Sequence, residues 1–201
     1  MILRRTVLVT LAAAAATSSF AQTQQGRPPG ADAGADEQYV RQTLAAGSLS
    51  LAVSRIAEGK LQTDDLKEFA QLEAAEQETL ADVLKSLQNP SLTDATTKPL
   101  SDAEMEQHLD QSGREQLEKM RAAPAGAEFD REYLEGQTNG HLELLRIQET
   151  YLGSGRNNLN FINVAKLARA MIREHLQLLA DLESEIETGG ATTGAAPRRD
   201  N

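Results

Sequence analysis

Apolar residues recur at helical spacing along four long stretches of this chain, at about residues 36–58, 63–88, 128–152 and 158–187, and no segment alternates strongly with period two. That pattern confines the fold to packed helices, because a half-buried strand has to alternate. Local punctuation agrees. Gly59 closes the first stretch, and Thr63, followed by Asp64 and Asp65, suits the start of the second. Asn89-Pro90 ends the second stretch. Ser101-x-x-Glu104 spells a capping box for a shorter helix. Gly153-Ser154-Gly155 and Gly189-Gly190 follow the third and fourth stretches. Four long helices joined mostly by short loops predict an all-α, antiparallel four-helix bundle. The short extra helix fills the long connection between the second and third.

The ends of the chain read differently. Arg4 and Arg5 precede an apolar run from Thr6 to Ala16 that is too short to span a bilayer, and Ser19-Phe20-Ala21 supplies small residues at the cleavage positions. Residues 1–21 are therefore expected to be a secretory signal peptide cut after Ala21. No later segment is long and apolar enough to cross a membrane, which predicts a periplasmic protein with no transmembrane segment after cleavage. Residues 22–35 (QTQQGRPPGADAGA) and 189–201 (GGATTGAAPRRDN) carry glycine, proline and alanine without apolar period. They are expected to be a disordered linker and tail around a bundle domain at 36–188. Without Arg4 and Arg5, 18 basic residues face 30 acidic ones, a net charge of −12. Nucleic acid and anionic lipid want a basic patch and are poor partners for such a chain, so no nucleic acid is expected to bind. With no cysteine there is neither a disulfide framework nor a lipidation site.

Two of the three histidines open near-identical pentapeptides, His141-Leu-Glu-Leu-Leu and His175-Leu-Gln-Leu-Leu, thirty-four residues apart. That spacing is also a tetratricopeptide period, but the aromatic, glycine and proline signature is missing and each copy lies within a separate long helix. At 100° per residue, His141 falls inside the apolar arc of its helix with Phe129, Tyr133, Leu144 and Tyr151. His175 falls on the face of Phe161, Ala168, Ile172 and Leu179. Both lie near mid-helix, so an antiparallel hairpin brings them to similar heights. His108 has charged neighbours and is expected to be exposed. The second helix adds Glu73 and Glu76 on its apolar face, and a buried carboxylate needs a partner. The first helix shows an inward stripe of small residues, Thr43, Ala46, Gly47, Ser50, Ser54 and Ala57, which lets a neighbour approach closely. Two readings of the mid-bundle layer stand side by side. One is a metal site of His141, His175, Glu76 and Glu73 for a divalent ion such as iron, zinc or manganese. The other is a polar core layer in which neutral histidines bond Glu76, Gln77 or Gln137 and fix helix register.

The segments GAEFDREYLEGQTNGHLELL (126–145), IREHLQLL (172–179), EQYVRQTLAAGSLSLAVSRIA (37–57) and FAQLEAAEQETLADVL (69–84) resemble a bacterial family of exported helical proteins, the domain-of-unknown-function family 4142. The resemblance covers roughly residues 36–187 and implies a ferritin-like bundle. It also implies a histidine in each of the last three long helices and a glutamate in the first. His141 and His175 match two of these positions; Glu76-Gln77 stands where the second helix has its Asp-His pair, and Ser50 where the first has its glutamate. Members are often labelled outer membrane proteins, which the helical pattern opposes, since a membrane barrel needs alternating strands.

Nucleophilic chemistry finds no support. The chain lacks cysteine and a Gly-x-Ser-x-Gly elbow, and Gly153-Ser154-Gly155-Arg156 lacks the strand and lysine of a phosphate loop. The expected function is that of a non-enzymatic envelope bundle that binds an unknown envelope protein or protects against stress. The alternative is a ferritin-like metal-binding protein using the histidine and glutamate layer.

Overall fold

The computed structural model of the chain describes residues 31–89 and 99–189. The leader with its cut after Ala21, most of the proposed linker and nearly all of the tail lie outside the described residues. Six helices follow in order: α1 Ala31–Glu58, α2 Asp64–Gln88, α3 Asp102–His108, α4 Gln111–Ala122, α5 Ala127–Gly153 and α6 Leu159–Gly189. No strand occurs among the described residues. The four long helices lie where the apolar period places them. Helix α1 begins at Ala31 rather than near residue 36, so the end of the stretch read as linker is helical.

Side-chain pairs between α1 and α5 ladder in opposite directions along the two helices: Asp36 with Tyr151, Tyr39 with Gln148, Ser50 with Gln137 and Ser54 with Tyr133. The two helices are therefore antiparallel. Short turns at residues 59–63 and 154–158 make α1–α2 and α5–α6 hairpins. Helix α2 consequently runs in the same direction as α5, and the connection between them has to return along the bundle. That connection holds two short helices where the sequence predicts one. The capping box at Ser101 is present, with Glu104 N–H donating to Ser101 Oγ and Ser101 N–H donating to Glu104. The additional helix, α4, is capped by Asp110, which accepts from Gly113 N–H at 2.8 Å.

Two cations of α1 and its turn pin this connection. Arg55 donates to the Leu100 carbonyl at 2.7 Å and to Glu78 at 2.5 Å. Lys60 Nζ uses its three hydrogens on the carbonyls of Met120, Arg121 and Ala123, the open C-terminal end of α4. Because α3 and α4 cover its outer side, α1 is buried almost all round at Leu51, Ala52, Val53 and Ser54. Its near-continuous run of small and apolar residues is what such a position requires. Gly126, just before α5, holds φ +152°, a conformation open in practice to glycine.

The start of α2 departs from expectation. Thr63 occupies the N-cap position, but its side chain makes no cap bond. The turn before it is instead anchored by Asp130 on α5, whose carboxylate accepts from Gln62 N–H, Thr63 N–H and Thr63 Oγ1. A carboxylate there also faces the positive end of α2. The small stripe on α1 does what the sequence suggests: a Cβ added at Gly47 would lie 2.5 Å from Gln77 Oε1 on α2.

Candidate metal centre

The hairpins place three chemically active side chains at one level of the core. Glu73 comes from α2, His141 from α5 and His175 from α6. Glu73 and His141 are 0 % exposed and His175 is 5 % exposed. His141 Nε2 lies 3.0 Å from His175 Nδ1 and 3.3 Å from Glu73 Oε2, and His175 Nδ1 lies 3.1 Å from Glu73 Oε2. These atoms form a nearly equilateral triangle. They make a group of the kind that can hold a metal ion, with ligand atoms all within 4.8 Å of one another.

The far side of each ring is also engaged. His141 Nδ1 sits 2.8 Å from the Gln137 carbonyl, which can only accept, so Nδ1 carries a hydrogen. In the neutral ring Nε2 then presents a lone pair to the triangle. His175 Nε2 lies 2.9 Å from Glu76 Oε2. Phe69 presents its ring to both imidazoles, at 6.0 Å from His141 and 5.3 Å from His175, and walls one side with hydrocarbon.

Glu73 is held unequally. Its Oε1 accepts from Ser50 Oγ at 2.5 Å. Its Oε2 faces both imidazole nitrogens yet has no aligned donor. Ser50 also lies 2.7 Å from Gln137 Oε1, and Gln137 Nε2 lies 3.2 Å from Ser54 Oγ, which meets Tyr133 OH at 2.9 Å. One hydroxyl cannot donate to both Glu73 and Gln137. Turning the Gln137 amide resolves this. Nε2 then donates to Ser50, Ser50 donates to Glu73, Ser54 donates to the amide oxygen and Tyr133 donates to Ser54. Every hydrogen in the chain then points toward Glu73.

Charge follows from these contacts. Burial alone pushes the Glu73 carboxyl up, but the two imidazoles and the Ser50 hydroxyl outweigh it and hold the group well below the usual carboxylate range. Burial likewise pulls His175 down, while Glu73, then Glu76 and Glu174, raise it above the ordinary histidine value. Glu76 is raised, chiefly by burial, with His175 opposing.

The four sequence candidates thus separate. His141, His175 and Glu73 converge. Glu76 stands outside, on the far nitrogen of His175, with its side chain 36 % exposed. His108 is half-buried rather than exposed and lies far along the chain in α3. Ser50, read as packing, is the hydrogen-bond donor to Glu73, and Gln137 orients His141 through its backbone. Two signals point at Ser50, the small-residue stripe and its place where the resemblance puts a glutamate. Gln77 is buried but touches neither histidine by any hydrogen bond, and its Nε2 has no partner.

A family model described as "Domain of unknown function (DUF4142)" matches residues 19–182. No curated protein matches the chain. The crystal structure of a Streptomyces coelicolor protein, described as secreted and as DUF305, is similar with a TM-score of 0.59 at 14 % identity. The match covers 81 % of this chain and 98 % of that one, a likeness of fold. Among the described residues no helix is long and apolar enough to cross a membrane.

Proposed function

This chain belongs to the DUF4142 family of domains of unknown function, and we propose that it is an exported bundle that holds one transition-metal ion at Glu73, His141 and His175. The carrying observation is the triangle of acceptor atoms with edges of 3.0, 3.1 and 3.3 Å. An ion bound at about 2.1 Å separates its donors by roughly 3.0 Å at right angles and about 3.4 Å at the tetrahedral angle. The edges fall within that span. The outer contacts support the same reading, since a ligating histidine usually gives its other N–H to a carbonyl or carboxylate. The Gln137 carbonyl and Glu76 stand in those places. Charge adds a third argument. Glu73 holds a negative charge in the interior, which a bound cation neutralises. Two imidazoles and a carboxylate suit zinc, iron or manganese.

The site is closed, which suits holding an ion better than turning over a substrate. Export to the periplasm, with cleavage after Ala21, belongs to the same reading and accords with the secreted description of the DUF305 protein. A protective role in the envelope, or docking to another envelope protein, is compatible with a metal-holding core and is a separate proposal. A second reading has one observation in its favour. The Glu73 and Glu76 oxygens flank opposite nitrogens of His175, so a protonated imidazole could bridge them and close the layer without metal.

Elemental analysis of protein purified from the exported fraction separates the two. The metal reading expects one equivalent of zinc, iron or manganese per chain, falling to background in the His141→Ala/His175→Ala double variant. Protein that takes up no stoichiometric metal after loading, and melts identically with and without chelator, overturns it.

A further inference from the structure

We propose that Glu76 is the carboxylate through which a divalent cation reaches the Glu73–His141–His175 triangle; this role rests on the metal-holding reading above. The triangle is sealed on most sides. The chain of Ser50, Gln137, Ser54 and Tyr133 closes it toward α1. Phe69 closes another side. What remains is the side where α2 faces α6. Glu76 and His175 stand on that side. The Glu76 side chain is the exposed member of the group, while its Oε2 is sunk against His175 Nε2 and has no aligned donor. One end of this residue thus meets solvent and the other meets the imidazole whose opposite nitrogen belongs to the triangle.

His175 links the two sides: its Nε2 faces the outer carboxylate and its Nδ1 the inner one. With the Nε2 hydrogen held by Glu76, the Glu76 carboxylate itself is the donor that a cation meets first. Glu174, exposed and adjacent in sequence to His175, acts electrostatically on both Glu76 and His175 and adds negative charge beside them. Two carboxylates reaching the surface next to the closed site, in a strongly acidic protein, concentrate cations there and speed their capture.

The test is stopped-flow mixing of the metal-free full chain with Co2+, followed by the Co2+ absorption that develops on ligation. Glu76→Gln is expected to slow association about tenfold or more at low ionic strength. Kd weakens as well, because Glu76 also partners the far nitrogen of the ligating His175, so the association rate is the deciding readout. Glu174→Gln slows association less, and its effect fades as salt screens these carboxylates. Unchanged association in Glu76→Gln, with weaker binding through faster dissociation, overturns the proposal and leaves Glu76 as a group that only orients the ring. A wild-type chain that takes up no Co2+ overturns the metal-holding reading and this one with it, so the two failures are distinguishable.

Discussion

Asp130 and Glu73 are both buried carboxylates, 3 % and 0 % exposed, and the fold treats them in opposite ways. Asp130 is answered by the chain itself. Two backbone N–H groups and a hydroxyl from the turn before α2 converge on it, and each is a donor. Glu73 is answered on one oxygen by Ser50; the other faces two imidazole nitrogens with no hydrogen aligned on it. A third buried polar layer resembles the first. Tyr39 OH donates to Gln148 Oε1 at 2.7 Å, and Gln148 Nε2 donates to Thr43 Oγ1 at 3.3 Å. The same bundle therefore contains a buried carboxylate closed by protein donors, at Asp130, and another left partly open, at Glu73 Oε2. The first kind fixes structure. The second needs a positive charge from elsewhere, a proton or a metal ion.

The largest effect expected is at the closed site. Asp130→Ala strands the buried donors of the turn before α2, Gln62 N–H, Thr63 N–H and the Thr63 hydroxyl, which costs about 3 kcal/mol. Urea unfolding measures this loss, and it should be the same with and without added metal. Glu73→Ala behaves differently. At a free metal concentration about a hundred times Kd, wild-type gains about 2.7 kcal/mol from binding. Glu73→Ala loses that increment, whereas Asp130→Ala keeps it. Equal metal increments in the two variants would erase the distinction between the carboxylates.

Protonation sharpens the same contrast. In metal-free protein the folded pKa of His175 is raised above 6.5, so its contribution is complete below pH 6.5 and is lost as pH rises through the folded value. Glu73 is depressed below 4.5, so its contribution is complete above pH 4.5 and is lost as pH falls toward its folded value. Metal competes with the His175 proton, so the metal increment grows across the upper window where the metal-free protein weakens. Thermal melts between pH 5 and 9, with and without Zn2+, should therefore diverge as pH rises. Parallel curves would favour the protonated bridge.

Much of this was legible in the sequence, and the exceptions have physical causes. The extents of α1, α2, α5 and α6 follow from apolar period and glycine or proline stops, which are local signals. His141 and His175 point inward because their arcs are apolar on both flanks. Helix α4 was missed because only Gly113, Leu117 and Met120 of its residues are buried; α1 and Lys60 hold it, and both are distant in sequence. Thr63 does stand at the N-cap; what local signals cannot show is that its N–H is held by Asp130, sixty-seven residues away. Glu73 and Glu76 share one helical face in projection, so periodicity cannot rank them. Ser50 ranks them, by reaching Glu73 from α1. The resemblance places a glutamate at Ser50; here the carboxylate of this layer comes from α2 instead, with a hydroxyl opposite it.

The smallest effect tests how tightly that layer is built. Gly47 lies on α1 opposite Gln77, one turn beyond Glu73 on α2, and an added Cβ would stand 2.5 Å from Gln77 Oε1. Replacing an interior helical glycine by alanine favours the helix by about 1 kcal/mol. Crowding a packed core costs about 1–3 kcal/mol. The two nearly cancel, so Gly47→Ala is expected to lower stability by only about 1 kcal/mol. Its effect on metal should be clearer. If the Cβ pushes α2 outward, Glu73 retreats from both histidines and Co2+ affinity falls severalfold, while the Asp130 anchor of the turn before α2 is untouched. Gln77 could also yield, since its Nε2 holds no partner that would resist its turning. A Gly47→Ala variant with wild-type Co2+ affinity and higher stability would show that the side chain moved and the helix did not. The spacing of α1 and α2 would then not be what positions Glu73.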